Sequence, residues 1–213
     1  MKFHEMPYQR PELDAFRRKT EDVLSRIRSA GSAREQIDAY RDFDQTRMEV
    51  DTQISLAYVR HTIDTRDAFY DGEEKFWNEA GPELEAYLQD WTKAMLDSPF
   101  RPRFAGEYGQ VMFLNAEIAL KTFSPEIIPE LQQENDLTQE YEKLLASAQI
   151  PFEGQSYTLS QLTPFKSDPD DTRRLAAWKA EGQWYKDNQT RLDDIYDRLV
   201  RLRDAMGKKL GYE

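Results

Sequence analysis

Residues 32–64 read SAREQIDAYRDFDQTRMEVDTQISLAYVRHTID, and this stretch decides the fold class. Ser32-Ala-Arg-Glu35 has the form of a capping box, in which the serine hydroxyl accepts from a first-turn N–H and the glutamate reaches back to the serine N–H. Behind it Ile37, Tyr40, Val50, Ile54, Ala57, Tyr58 and His61 recur at helical spacing, with charges between them and no Gly or Pro before Asp64-Thr65. Upstream, Leu13, Phe16, Val23, Leu24 and Ile27 give the same period up to about Ser29. Ala30-Gly31 supplies the stop, since glycine favours the position just past a helix end. The two segments predict a helical hairpin.

The same period continues outward. Phe69, Tyr70, Phe76 and Trp77 start a third helix, which Gly81-Pro82 is expected to kink or restart, because an interior proline removes a backbone donor. Leu84, Leu88, Trp91, Met95 and Leu96 carry it to Ser98-Pro99, and a shorter apolar helix follows over 111–123. Ser124-Pro125 reads as N-cap and first helical position, and Thr138 as a restart towards Tyr141, Leu144 and Leu145. The texture then changes. Ile150-Pro-Phe152 and Tyr157-Thr-Leu159 flank Glu153-Gly154-Gln155, which predicts a small β-hairpin, the one strand pair expected. Asp168-Pro169 is expected to open the last helical region, whose seam is Leu192, Ile195, Leu199, Leu202 and Met206. The fold class is all-α: long antiparallel helices in a bundle with one hairpin near residues 150–159. It reads as a single helical lobe over 1–213, divisible into a bundle over 1–148 and a hairpin with the final helices over 149–213.

Composition agrees with a globular helical protein. The 213 residues include 11 Phe, 11 Tyr and 4 Trp, enough large groups for a substantial core, and the 32% charged fraction suits long solvated helix faces. With 40 acidic against 29 basic residues the net charge is -11, a field that repels phosphate backbones and anionic lipid. Nucleic acid and membrane surface are therefore poor partners. The absence of cysteine rules out disulfides, thiolate metal ligands and thiol catalysis in these residues and fits a reducing compartment. The opening MKFHEMPY lacks the apolar core of a signal peptide, and no apolar run is long enough to cross a membrane, so a cytoplasmic location is expected.

The search for chemistry returns no catalytic, cofactor or metal residue. The H-E-x-x-H zinc motif needs two histidines four apart on one helix face. His4-Glu5 is followed by Tyr8 where the second ligand would stand, Met6-Pro7 forbids a helix interior there, and His61 has Tyr58 three residues before it. Gly106-Glu-Tyr-Gly109 lacks the lysine and hydroxyl of a phosphate loop. Forty carboxylates guarantee close pairs without singling out a general acid and base. His61 lies on the apolar side of its helix, either as a packed, hydrogen-bonded side chain or at a cleft or lobe interface, and Arg60 shares that question. Trp77, Trp91, Trp178 and Trp184 stand at helical spacing and are expected in or beside the core. Asn188-Gln-Thr190 matches a glycosylation acceptor but has no secretory context.

Three stretches together resemble the oligoendopeptidase F family of zinc metallopeptidases, thimet oligopeptidase-like enzymes. They are Arg60-His-Thr-Ile-Asp-Thr65 with Asp67 and Phe69-Tyr-Asp71; Ala119-Leu-Lys-Thr-Phe-Ser-Pro-Glu-Ile-Ile128, running on through Glu134-Asn135 and Leu137 to Ala146-Ser-Ala148; and Ile195-Tyr-Asp-Arg-Leu-Val200 with Lys208-Lys-Leu-Gly211. The opening Phe3-His-Glu-Met-Pro-Tyr8 is similar to the family's beginning. The resemblance implies an amino-terminal helical lobe that forms one wall of a channel admitting short peptides. It also implies zinc, with H-E-x-x-H and its general-base Glu, in a later catalytic lobe that is absent here, so this chain alone is expected to be inactive. The final seam is then expected to present apolar surface to the missing lobe, or to self-associate. The alternative is a stand-alone helical binding or scaffolding module without activity.

Overall fold

The computed structural model describes residues 2–212. Nine α-helices and one two-stranded antiparallel sheet are found among them, the mainly helical class expected. The helices are α1 (Leu13–Ser29), α2 (Ala33–Ile63), α3 (Ala68–Leu96), α4 (Arg101–Tyr108), α5 (Gln110–Thr122), α6 (Ile128–Ala146), α7 (Leu159–Leu162), α8 (Asp171–Asp187) and α9 (Gln189–Lys209). The strands β1 (Ile150–Phe152) and β2 (Gln155–Tyr157) lie between α6 and α7. The chain divides into two compact units, one of residues up to 132 together with those from 209 on, the other Gln133–Lys208.

The first unit is built on the hairpin read from the sequence. Ser32 caps α2 by accepting from the Glu35 N–H, and α1, α2 and α3 pack on one another. Their core joins Phe16, Val23 and Ile27 of α1 to Phe43 and Ala57 of α2 and to Trp77, Trp91 and Met95 of α3, and α4 and α5 close it with Phe104 and Phe113. Tyr58, assigned to the α2 seam, is instead 45% exposed. Asp67 caps α3 by accepting from the Phe69 and Tyr70 N–H groups.

Helix α3 departs from expectation. It runs through Pro82 without restarting, and Pro82 is itself buried. Burial of the flanking Ala80 and Leu84 supplies packing that outweighs one lost backbone bond. Helix α4 was not foreseen: with eight residues and only Phe104 and Ala105 buried it is too short to show a period. Gly109, at φ 88, separates it from α5, a conformation that a side chain would strain. Ser124 accepts from the Glu126 N–H with Pro125 at the first helical position, as read. The helix beyond is unbroken, so Thr138 restarts nothing.

In the second unit the β-hairpin closes through Glu153 at φ 49 and Gly154 at φ 78, the left-handed pair of a two-residue turn. The second strand ends at Tyr157 rather than 159, because Thr158 caps α7 in a capping box with Gln161. Ile150, Phe152 and Leu162 pack with Ala177 in a small core. The N-cap of the next helix is Asp170 and not Asp168: Asp170 accepts from the Thr172 and Arg173 N–H groups, while Asp168 ends the preceding turn. The final region is two helices, α8 and α9, divided at Asn188. Trp178 is 55% exposed, against the expectation for the four tryptophans; its Nε1 donates to the Lys166 carbonyl at 3.2 Å and the Lys166 ammonium sits 4.8 Å from its ring. The α9 seam is covered rather than bare, with Ile195 and Met206 buried and Leu192, Leu199 and Leu202 half-buried. Arg191 and Arg203 bind α9 to Glu140 and Glu134 of α6.

Candidate functional site

The densest polar cluster in the first unit joins the amino-terminal strap to α2 and α3. Glu73 has an i±4 relation to Phe69 and Trp77, which places a carboxylate on the apolar side of α3, and it is 4% exposed. A charge so placed needs partners. Arg10 supplies a two-pronged contact, Nε to Oε2 at 2.9 Å and Nη2 to Oε1 at 2.5 Å, and its guanidinium lies 4.1 Å from the Phe76 ring centre. The Tyr8 hydroxyl donates to Glu73 Oε2 and accepts from Trp77 Nε1 at 3.3 Å. The hydrogen bonds from Arg10, above all, hold the Glu73 carboxyl below its usual range. Burial, followed by the hydrogen bond to Glu73, pushes the Tyr8 phenol up to about 12. Tyr8 thus stays protonated and Glu73 ionised at neutral pH, the states that the network requires.

Arg60 and His61 extend the cluster along α2. Arg60 Nη1 donates to the Tyr70 hydroxyl at 2.7 Å and Nη2 donates to the Met6 carbonyl at 2.5 Å, so a side chain on α2 holds the backbone of the strap. The Tyr8 ring meets Phe69 and Tyr70 edge-on at 6.0 and 5.9 Å. His61 is fully buried, with Nε2 at 3.6 Å from Asp71 Oδ1, and Lys75 Nζ lies 2.9 Å from the other Asp71 oxygen. Arg60, His61, Tyr70 and Asp71 of the first resemblance stretch are thus engaged within the unit, and through Arg60, Tyr8 and Arg10 the arrangement fastens the strap to α2 and α3.

A second feature is a cleft of about 320 Å³ between α2, α3 and α5. Phe43, Trp91 and Met95 contribute apolar walls, and the Trp91 indole stacks on Tyr40 at 5.4 Å. Trp91 Nε1 is buried without an acceptor among the described residues. Burial raises the Glu85 carboxyl at the cleft above its usual range and raises the Tyr40 phenol likewise.

Neither feature fits zinc. His4, exposed in the first turn, lies 3.8 Å from Glu5, and His61 is sealed on α2. Among the described residues no three His, Asp or Glu side chains converge as a ligand set. No helix among them is long and apolar enough to cross a membrane. Sequence reasoning passed over Glu73 and Arg10; the available signal was an acidic residue four from Phe69 and four from Trp77, on the apolar face of α3.

A family profile described as the peptidase M3 N-terminal domain matches residues 3–123. The chain is similar to Pz peptidase A, solved with an inhibitor, at 40% identity and TM-score 0.95, covering 99% of this chain and 38% of that one. It is similar to a protein assigned to oligoendopeptidase F at 40% identity and TM-score 0.96, covering 100% of this chain and 38% of the other. A further structure assigned to oligoendopeptidase F, from Bacillus anthracis str. Ames, is 37% identical with TM-score 0.95, covering 100% and 39% of the two chains. No match is found among curated proteins. The chain spans less than two-fifths of the length of each of these three structures.

Proposed function

This chain belongs to the peptidase M3 N-terminal domain family, and from that premise we propose that its parent is a zinc-dependent oligoendopeptidase that hydrolyses short peptides. In this reading residues 1–213 form a helical lobe that walls one side of the substrate channel and have no activity alone. The observation that carries it is the match over essentially the whole of this chain to less than two-fifths of peptidase structures. The donor chemistry supports the division of labour. With two histidines held apart and no convergent acidic set among the described residues, the zinc ligands and general base belong to the polypeptide beyond this lobe. What this chain's own residues contribute is shape: the Glu73 network and the aromatic core make a stiff wall, and a stiff wall limits the size of what enters. The missing catalytic lobe is the lobe's principal partner, and the absence of cysteine suits a cytoplasmic place. The reading frame tests this. An H-E-x-x-H motif with a further Glu downstream is expected in the several hundred codons after Glu213; a frame that stops without one contradicts it.

A further inference from the structure

The cleft between α2, α3 and α5 follows from what the helices turn towards it. On α3, Glu85, Leu88, Thr92 and Met95 recur at spacings of three and four, which sets them on one face, and α5 answers with Ala116 and Ala119. Alanine is too short to reach across, so the space stays open at about 320 Å³. Glu85 is the odd member of its face, a half-buried carboxylate among apolar walls, and a carboxylate so placed costs free energy unless it is paired. At Glu73 the fold meets that cost with Arg10 and Tyr8. Glu85 makes no hydrogen bond or salt bridge among the described residues. Arg47 of α2 acts on it through space but is engaged by Asp44 at 3.2 Å. The lining residues of α5 bring no ionisable group, so the cleft carries one negative charge more than it balances.

We propose that this cleft binds a small primary amine carried on an aromatic or other apolar body, its ammonium against Glu85 and its body among Phe43, Trp91 and Met95. Each part of that ligand answers a wall. The body removes apolar surface from water, and the methionine thioether adapts to its outline. The ammonium gives Glu85 the charged partner it lacks, and the rings of Tyr40 and Trp91 favour a cation over an anion beside them. The upward shift of the Glu85 carboxyl on burial agrees with a group short of a counter-charge. Volume sets the size, since about 320 Å³ stands at the low end of small-molecule sites and suits a single ring with a short arm. The proposal uses residues of the first unit alone and does not depend on the peptidase reading.

Phenethylamine is the probe, with phenylethanol and phenylpropionate as its neutral and anionic analogues, each titrated by calorimetry into the 213-residue chain at neutral pH. The expected result is saturable binding of the amine, with both analogues weaker by about tenfold or more, the scale of one charge-assisted hydrogen bond. Binding should move the indole N–H resonance of Trp91 in preference to those of Trp77, Trp178 and Trp184. Glu85→Gln keeps the shape of the site and should bring the amine down to the affinity of the alcohol. Ala116→Leu fills the cleft and should weaken the amine and the alcohol together; circular dichroism checks that each variant is folded. No saturable binding of the amine at millimolar concentration overturns the proposal. So do equal affinities for the amine and the propionate, an unchanged amine affinity in Glu85→Gln, or a resonance shift confined to a tryptophan other than Trp91.

Discussion

Glu73 and Glu85 are two carboxylates on α3 with opposite surroundings. Glu73 is surrounded by donors, so its folded-state pKa lies below the ordinary 4.5. Its contribution to stability is complete above that value and is lost as pH falls through the lower folded value. Glu85 is pushed above 4.5 by burial, so its contribution is complete below 4.5 and is lost as pH rises through the raised value. Glu73→Gln should therefore destabilise the chain at neutral pH, by about 2 kcal/mol given that Arg10 remains partly solvated, and should reduce the loss of stability on acidification. Glu85→Gln should raise stability at neutral pH and leave the acid limb unchanged. Urea melts from pH 3 to 8 separate the two; parallel curves for both variants and the wild type contradict the assignment. Of these residues the sequence shows the type and the helical position. It does not show that Arg10, 63 residues away, arrives opposite Glu73, because that pairing is a tertiary event.

At the scale of elements, legibility follows the locality of the signal. Ser32, Ser124 and the Gly154 turn were readable because each acts on N–H or φ within three residues of itself. Asp168-Pro-Asp-Asp171 misled for the same reason: it offers several candidate caps within four residues, and only the backbone path selects Asp170. Asp170→Ala should cost about 1 kcal/mol through the loss of its cap bonds to Thr172 and Arg173. An unchanged thermal midpoint for that variant would return the helix start to Asp168. Pro82 was misread and α4 missed because burial of Pro82, Phe104 and Ala105 decides them, and burial depends on elements far along the chain. The α9 seam, expected to present apolar surface to a missing lobe, is covered instead, and that covering was not visible from its spacing.

For the molecule as a whole, the fold class and the family resemblance were legible, since long amphipathic helices and three dispersed stretches survive inspection one residue at a time. Of a catalytic centre the sequence shows no motif. Two histidines that the fold keeps apart, one exposed on the strap and one sealed on α2, make no ligand set, and the charged groups around Glu73 are committed to holding the strap. On the proposed function, this lobe shapes a channel whose chemistry lies elsewhere in the polypeptide. The most direct measurement follows cleavage of a quenched fluorescent oligopeptide by the purified 213-residue chain and by its intact parent, each with added zinc and with a chelator. Turnover by the parent that a chelator abolishes and zinc restores is expected, with no turnover by the chain alone. Chelator-sensitive turnover by the 213-residue chain would contradict it.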